Sequence, residues 1–551
     1  MKNRIKLLIA LTIFVQSAIA QTAKVEWGPL SKKKEYVSLY GADGSNIYGI
    51  DFGLKKTKYA IVKYDEKLIE QTRQLIVIET NRKNRTLERM MNFNDKILVF
   101  TSYYDKSTKK NTLFAQFITF DGKFEGEPII VEETEEVKKR RWSDYGFKRS
   151  QDSSTILVYR SEPIDKENRD VKKFSCKLLD KELKTDWQKD FELEYEDPFA
   201  IYGYVVDNNG NLYVMIQMAI RREKVIETRE DKKERKEKEK KNKEKTQKRK
   251  YDSRFIIQTY NPTTDNLSEY ELNPDGKLRG KTITDFGLRV MDNQMVISGF
   301  YSETGSRING CFLMKVDGKT EEVKLEKVKE FDKEFFENIA TNSDDAEEDE
   351  KPKKKKDKEK DEEEYLTNYQ VRHLLNNSDG TMYMVAEQYT YYTTTYTTCD
   401  SKGNCRTTTV HHYIYGDILT LSFDKDGDIE WTSRIPKYQH TTGSAYYSSF
   451  ILLNKDDKLL FLYNDHPKNA SLKATKLYNL YLGGKIYKNV PVMVTLDNNG
   501  KLSKSQIIEK DPLDKKIKSI MVPDIQLYVN DGIIVKRDSG NKYSYGRLKI
   551  E

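Results

Sequence analysis

Eight times along the 551 residues, a turn built from Asp, Asn, Gly, Gln or Ser runs straight into a short apolar segment of β-forming residues. The copies begin at Asp43, Asn94, Gln151, Asp207, Asp292, Asp379, Asp456 and Asn530, and Ile47, Ile97, Ile156, Leu212, Met295, Met382, Leu459 and Ile533 mark the same place in each. The markers are spaced by 50, 59, 56, 83, 87, 77 and 74 residues. Recurrence on that scale selects repeat architectures over a single irregular core. A second signal, a strand that ends in a turn, appears at Ala60 to Asp65, Phe117 to Gly122, Leu313 to Gly318, Leu419 to Asp424 and Val492 to Asp497. Each unit therefore holds four short strands, a to d, with the first turn joining a to b and the second joining c to d. Helical periodicity is nearly absent outside two charged tracts, which excludes an α/β chain.

Four-stranded sheets set radially bury both faces against their neighbours and leave only short edges, so many weakly alternating strands can share one chain. The expected fold is all-β, a β-propeller of eight four-stranded blades with seven as the alternative, occupying residues 21–551 as one domain. With 36 Tyr and 22 Phe there is material for such a core, although charged residues make up 33% and part of the chain must be solvated. Trp187 and Trp431 both fall on d strands, and Trp27 precedes the first complete unit, while the last unit ends on a c strand near Ile550. An N-terminal strand carrying Trp27 would then supply the missing d strand and close the ring.

The string Phe423-Asp424-Lys425-Asp426-Gly427-Asp428-Ile429-Glu430-Trp431 resembles the strand-turn-strand repeats of secreted bacterial β-propellers, with the loose repeat grammar of the quinoprotein-like and WD-like groups. The quinoprotein enzymes among them carry an adjacent cysteine pair, which this chain lacks, so no cofactor is expected. The sialidase-type Asp-box is only approximated by Ser378-Asp379-Gly380-Thr381-Met382, and neither Gly-x-Ser-x-Gly nor the α/β domain that would carry it occurs.

Residues 1–20 read as a signal peptide: Lys2, Arg4 and Lys6 precede the apolar run Leu7 to Val15, and Ala18-Ile19-Ala20 offers small residues before Gln21. The alternative, an uncleaved anchor, has an apolar run well short of the ~20 residues that span a bilayer. The expected address is outside the cytoplasm: periplasm, cell surface or secreted. Cys399 and Cys405 flank the turn Asp-Ser-Lys-Gly-Asn between Thr- and Tyr-rich segments, which predicts a disulfide-closed hairpin over 390–414. Zinc is the competing use, but His411 and His412 do not complete a Cys2His2 spacing. Cys176 and Cys311, within apolar strands, are expected as buried thiols.

The formal net charge is +8, but its placement matters more. Residues 221–250 hold 16 Lys and Arg against 8 Asp and Glu, and residues 344–364 hold 7 against 12. A basic insertion is not a basic face on a folded domain, so nucleic acid is not an expected partner. Both tracts suit solvated low-complexity loops, with helix open to them because Lys, Glu and Arg are good helix formers. The basic tract joins b to c of unit four, the acidic tract joins d of unit five to a of unit six, and the hairpin joins b to c of unit six. All three should emerge on one face, where the tracts can meet.

No constellation points to catalysis. Asp424, Asp426, Asp428 and Glu430 suggest calcium, but Gly427 sits in the wrong place for an EF-hand, and a plain hairpin turn is the better reading. His373, His411, His412, His440 and His466 all fall in the last third without ligand spacing, as expected of exposed strand histidines, so no metal is expected. Pairing Cys399 with Cys405 sets the hairpin register, so Thr397 faces Thr407, Thr395 faces Thr409, Thr393 faces His411 and Tyr391 faces Tyr413. One side is then a Thr ladder ending in aromatics, with Tyr392, Tyr396 and His412 on the other. Tyr391, Tyr392, Tyr396, His411, His412 and Tyr413 are the candidate binding residues, for a protein or glycan partner. The favoured function is a non-enzymatic binding or scaffold propeller; the alternative is an envelope hydrolase or lyase with its site in the central channel.

Overall fold

The Asp that opens so many of the repeated turns builds them. At Asp65, Asp180, Asp207, Asp400 and Asp497, Oδ1 accepts the backbone N–H groups two and four residues on, at 2.8–2.9 Å. The residue three places after the Asp must be left-handed, and Gly210, Gly403, Gly427 and Gly500 meet that need with φ near +80°. Leu68 and Leu183 occupy the same position with φ of 59° and 64°. A left-handed Leu costs roughly 1–2 kcal/mol, offset here because both side chains are buried between blades.

The computed structural model describes residues 23–550 apart from 32–36, 45, 53–57, 81–82, 95, 135–144, 163–170, 222–250, 273–275, 292, 304–306, 337–365, 378, 456–457, 470–476, 511–519, 530–531 and 540–541. The proposed signal peptide, nearly all of the basic tract and all of the acidic tract lie outside the described residues. Within the described residues, eight sheets follow one another, each built on four antiparallel strands and two of them with a fifth strand added. Blades 1 to 7 span 37–77, 86–134, 145–194, 199–271, 282–330, 369–435 and 451–506. Blade 8 runs through Ile520–Val529, Gly532–Ser539 and Lys542–Ile550 and takes its fourth strand from Ala23–Trp27.

That closure follows the expectation from Trp27. Ala23–Trp27 pairs antiparallel with Lys542–Ile550, Ala23 opposite Ile550 and Trp27 opposite Gly546. Its other edge takes Ile508–Lys510 in parallel. The eight markers, Ile47 to Ile533, each lie on strand b of a different blade, and all are buried. Strand b is apolar on both faces because each face meets a different neighbouring blade. Eight apolar clusters fill the eight blade–blade gaps; the last joins Val37, Ile47 and Val62 of blade 1 to Ile534, Tyr543 and Tyr545 of blade 8. Cys176 and Cys311 are free thiols within these clusters, and burial pushes both well above the usual thiol range.

No helix among the described residues is long and apolar enough to cross a membrane. Asp424, weighed as a calcium ligand, instead accepts the N–H of Asp428 at 2.8 Å, and Asp428 pairs with Lys327 of blade 5.

A candidate binding site on blade 6

Strands b and c of blade 6, Met382–Cys399 and Cys405–Phe423, are the longest in the structure and run on past the blade as a ribbon. Their inner halves are buried and mostly apolar; from Tyr391 to Cys399 every residue is exposed. At ~3.3 Å per residue that outer stretch reaches roughly 27 Å. Thr and Tyr suit such a two-sided strand, being β-formers that tolerate solvent. The Cys399–Cys405 disulfide closes the tip.

The register is the one the cysteines imply: Thr397 opposite Thr407, Thr395 opposite Thr409, Thr393 opposite His411 and Tyr391 opposite Tyr413. On one face, Thr397 and Thr407 hydroxyls meet at 3.0 Å, Thr395 and Thr409 at 3.2 Å, and the Tyr391 hydroxyl lies 2.7 Å from His411 Nδ1. Tyr413 packs beside Tyr391, 5.3 Å between ring centres. On the other face, Tyr392 stacks on His412 with ring centres 4.4 Å apart and planes nearly parallel, and Thr394 Oγ1 lies 2.9 Å from His412 Nε2. The six candidate residues therefore form two groups back to back: Tyr391, His411 and Tyr413; and Tyr392, Tyr396 and His412. Tyr391, Tyr392 and Tyr396 are 48%, 40% and 51% exposed, so their rings face solvent rather than the core.

Two features at the foot of the ribbon were not expected from the sequence. The strand Gln439–Thr442 pairs with the outer edge of strand c from His412 to Tyr415, turning the base into three strands. It brings His440 Nε2 to 3.1 Å from His412 Nδ1, adding a third ring to the Tyr392 face. Burial and the neighbouring His412 both hold His440 below the usual histidine range. Beneath this strand lies an ion cluster: Lys437 Nζ is 2.9 Å from Glu387 Oε1, and both side chains are wholly buried. Glu387 Oε2 accepts from Arg372 Nε at 3.2 Å and from Ser449 Oγ at 2.8 Å, tying blade 6 to the segment entering blade 7. Lys437 also sits 3.3 Å from Gln439 Oε1, so the cluster holds the third strand in place. That strand is only four residues long, too short to show a periodicity, and the ion cluster joins positions too far apart in sequence to read locally.

The histidines divide further than their sequence pattern suggested. His411, His412 and His440 belong to the ribbon, His373 is an exposed strand histidine elsewhere, and only His466 departs from the exposed-strand expectation. His466 is buried, with Tyr478 and Tyr481 packed on its ring at 5.2 and 4.4 Å. His373 stands on strand a of blade 6 and faces the central channel. Around it the channel residues are Arg149, Arg289, Arg372 and aliphatic positions, with no carboxylate pair. Among the described residues, no three His, Cys, Asp or Glu side chains gather as a metal site would require.

No protein-family model matches the chain, and no curated protein matches it. Among solved structures, the WD40 domain of SCAP from fission yeast is 9% identical, covers 96% of this chain and 94% of its own, and gives a TM-score of 0.35. The β-propeller domain of the Trilobed protease from Pyrococcus furiosus is 11% identical over 88% of this chain and 100% of its own, at 0.30. An α-L-arabinanase from Penicillium chrysogenum is 10% identical over 56% of this chain and 98% of its own, at 0.24. The neighbours thus range from a WD40 domain to a protease's propeller domain and an arabinanase, and likeness at this level carries no argument about function.

Proposed function

We propose that this is an exported, non-enzymatic binding or scaffold propeller that presents the blade 6 ribbon to a protein or glycan partner at the cell envelope. The observation that supports it most is the ribbon itself, a disulfide-tied arm with three exposed tyrosines standing on a buried ion cluster. Function concentrates on loops held by a rigid scaffold, and a tyrosine ring offers an apolar face with a polar handle at small entropic cost. Outside the native fold such a ribbon would fray, so the disulfide and third strand prepare it for contact. A hydrolase or lyase with its site in the channel needs an acid–base pair there, and the cavity that blades 3 to 6 line offers arginines and His373 instead.

The experiment is a binding screen with the chain from residue 21, using an array of envelope glycans in one arm and crosslinking through a photoreactive residue at exposed position 398 in the other. A hit in either arm should weaken at least roughly tenfold in the Tyr392→Ala, Tyr396→Ala double variant, the loss expected for two aromatic anchors. Hits that bind the variant as tightly as the parent would remove the ribbon from consideration.

A further inference from the structure

Strands a of blades 8, 1 and 2, and those of blades 3 to 6, touch their neighbours around the ring axis, so residues they carry line the channel. Where these strands run into the a–b turns, blades 3 to 6 enclose a cavity of about 340 Å³. That is the lower end of the range for small-molecule sites, ~300–1,000 Å³. Its lining is unusual in charge: Arg149, Arg289, Arg372 and His373 on one hand, aliphatic residues such as Val206, Leu288 and Val371 on the other, and no acid.

Arg372 shares the Glu387 carboxylate with Lys437 and so has an acid beside it. The other two do not: Arg149 Nη1 donates to Asn92 O at 3.0 Å and Arg289 Nη1 to Leu374 O at 2.9 Å, and among the described residues neither has a carboxylate within ion-pair reach. The described acids of strands a are otherwise engaged. Glu88 accepts from Ser102, Asp43 from Asn46 and Tyr48, and Asp285 from Tyr202 Oη at 2.8 Å and the Val371 N–H. Burial holds the Arg289 guanidinium below its ordinary value, the mark of a cation short of both water and counter-charge. Each guanidinium has five N–H donors and has committed one group to a carbonyl, so both retain donors for an oxyanion. A cation in a partly dry channel is costly without a partner, and a bound anion offsets that cost.

We propose that this end of the channel binds a small organic oxyanion, a carboxylate or phosphate group on an apolar body, with the anion held by Arg149 and Arg289 and the body against Val206, Leu288 and Val371. The site is separate from the blade 6 ribbon and stands or falls without it.

Calorimetric titration of the chain from residue 21 with hexanoate, hexyl phosphate, acetate and inorganic phosphate tests it. At least one hexyl probe should bind roughly tenfold or more tighter than its bare anion, because each buried methylene adds to affinity; which probe wins identifies the head group. The Arg149→Gln, Arg289→Gln double variant should lose roughly tenfold or more, with Arg289→Lys losing less. Arg149→Gln alone, at the exposed end of its strand, should weaken binding even if the double variant does not fold. Absence of binding, equal affinity for hexyl and bare anions, or binding that both folded arginine variants leave unchanged would overturn the proposal.

Discussion

Trp27→Ala should open the ring at its seam. Trp27 ends the strand Ala23–Trp27, and its ring lies against the backbone of Gly546, where a Cβ would come within 2.5 Å of it. The buried Arg537 guanidinium sits 4.4 Å from its centre. Trp187 and Trp431 donate their indole N–H to Gly210 O and Asn498 O of the next blade, at 3.0 and 2.7 Å. Trp27 Nε1 is buried with no acceptor among the described residues, so packing and the cation–π contact carry its contribution. Truncating a buried Trp costs about 3–5 kcal/mol. A chain of this size unfolds with an entropy of roughly 1 kcal/mol/K, from ~2.1 cal/mol/K per residue, so the melting midpoint should fall only ~3–5 °C. Hydrogen exchange reads the seam more sharply. Where local opening of the N-terminal strand limits exchange, amides of Lys542–Ile550 that pair with it should lose roughly 10²- to 10³-fold protection, since 1.4 kcal/mol is tenfold, while strands b of blades 3 to 5 keep theirs. Gly546→Ala should reproduce the pattern by collision instead of truncation. Unchanged protection in Lys542–Ile550 in both variants would refute the reasoning that this strand locks the ring.

Glu387→Gln should cost about 3–5 kcal/mol because it leaves Lys437 charged, buried and unpaired, measured as a drop in denaturation midpoint that Lys437→Met in the same chain partly restores. Since the folded pKa of His440 lies below the unfolded value near 6.5, its contribution is complete above ~6.5 and declines as pH falls through that value toward the folded one. Near-UV dichroism from the Tyr392–His412–His440 stack should therefore weaken on acidification in the wild type and lose that component in His440→Gln; identical pH profiles would contradict it. Replacing 222–250 by a two-residue turn should leave thermal stability unchanged within ~1 kcal/mol, because Arg221 and Tyr251 already face each other across strands b and c of blade 4; a large loss would mean that the tract packs on the ring.

What could be read from the sequence was what repeats or what counts by twos. Ile47 and its seven equivalents gave away strand b because a strand buried on both faces is apolar at consecutive positions and recurs once per blade. Trp27 gave away closure because its partners on d strands, Trp187 and Trp431, stand at equivalent places. The ribbon register needed only the disulfide, since antiparallel pairing is then arithmetic. Strand Gln439–Thr442 was out of reach: it is four residues long and pairs sideways with a ribbon that already had its partner. Glu387, Arg372, Lys437 and Ser449 come from separate strands and loops, and a buried charge cluster leaves no periodic trace in any one of them. His466 and His373 likewise look the same in sequence as the ribbon histidines, and only the loops over blade 7 and the ring axis distinguish them. Leu183, left-handed without being glycine, hid the Asp180 turn for the same reason: burial elsewhere compensates a local rule.

Under the proposed function, the ribbon and not the ring meets the partner. Removing 390–414 tests it directly, because Tyr389 and Tyr415 face each other across the strands and can be joined by an Asn-Gly turn without disturbing the blade. The partner's affinity for this trimmed chain should be measured alongside that for the parent, with circular dichroism confirming the ring. The trimmed chain should fold and bind at least roughly tenfold more weakly, as loss of an anchor cluster requires. A trimmed chain that folds and binds as tightly as the parent would contradict it.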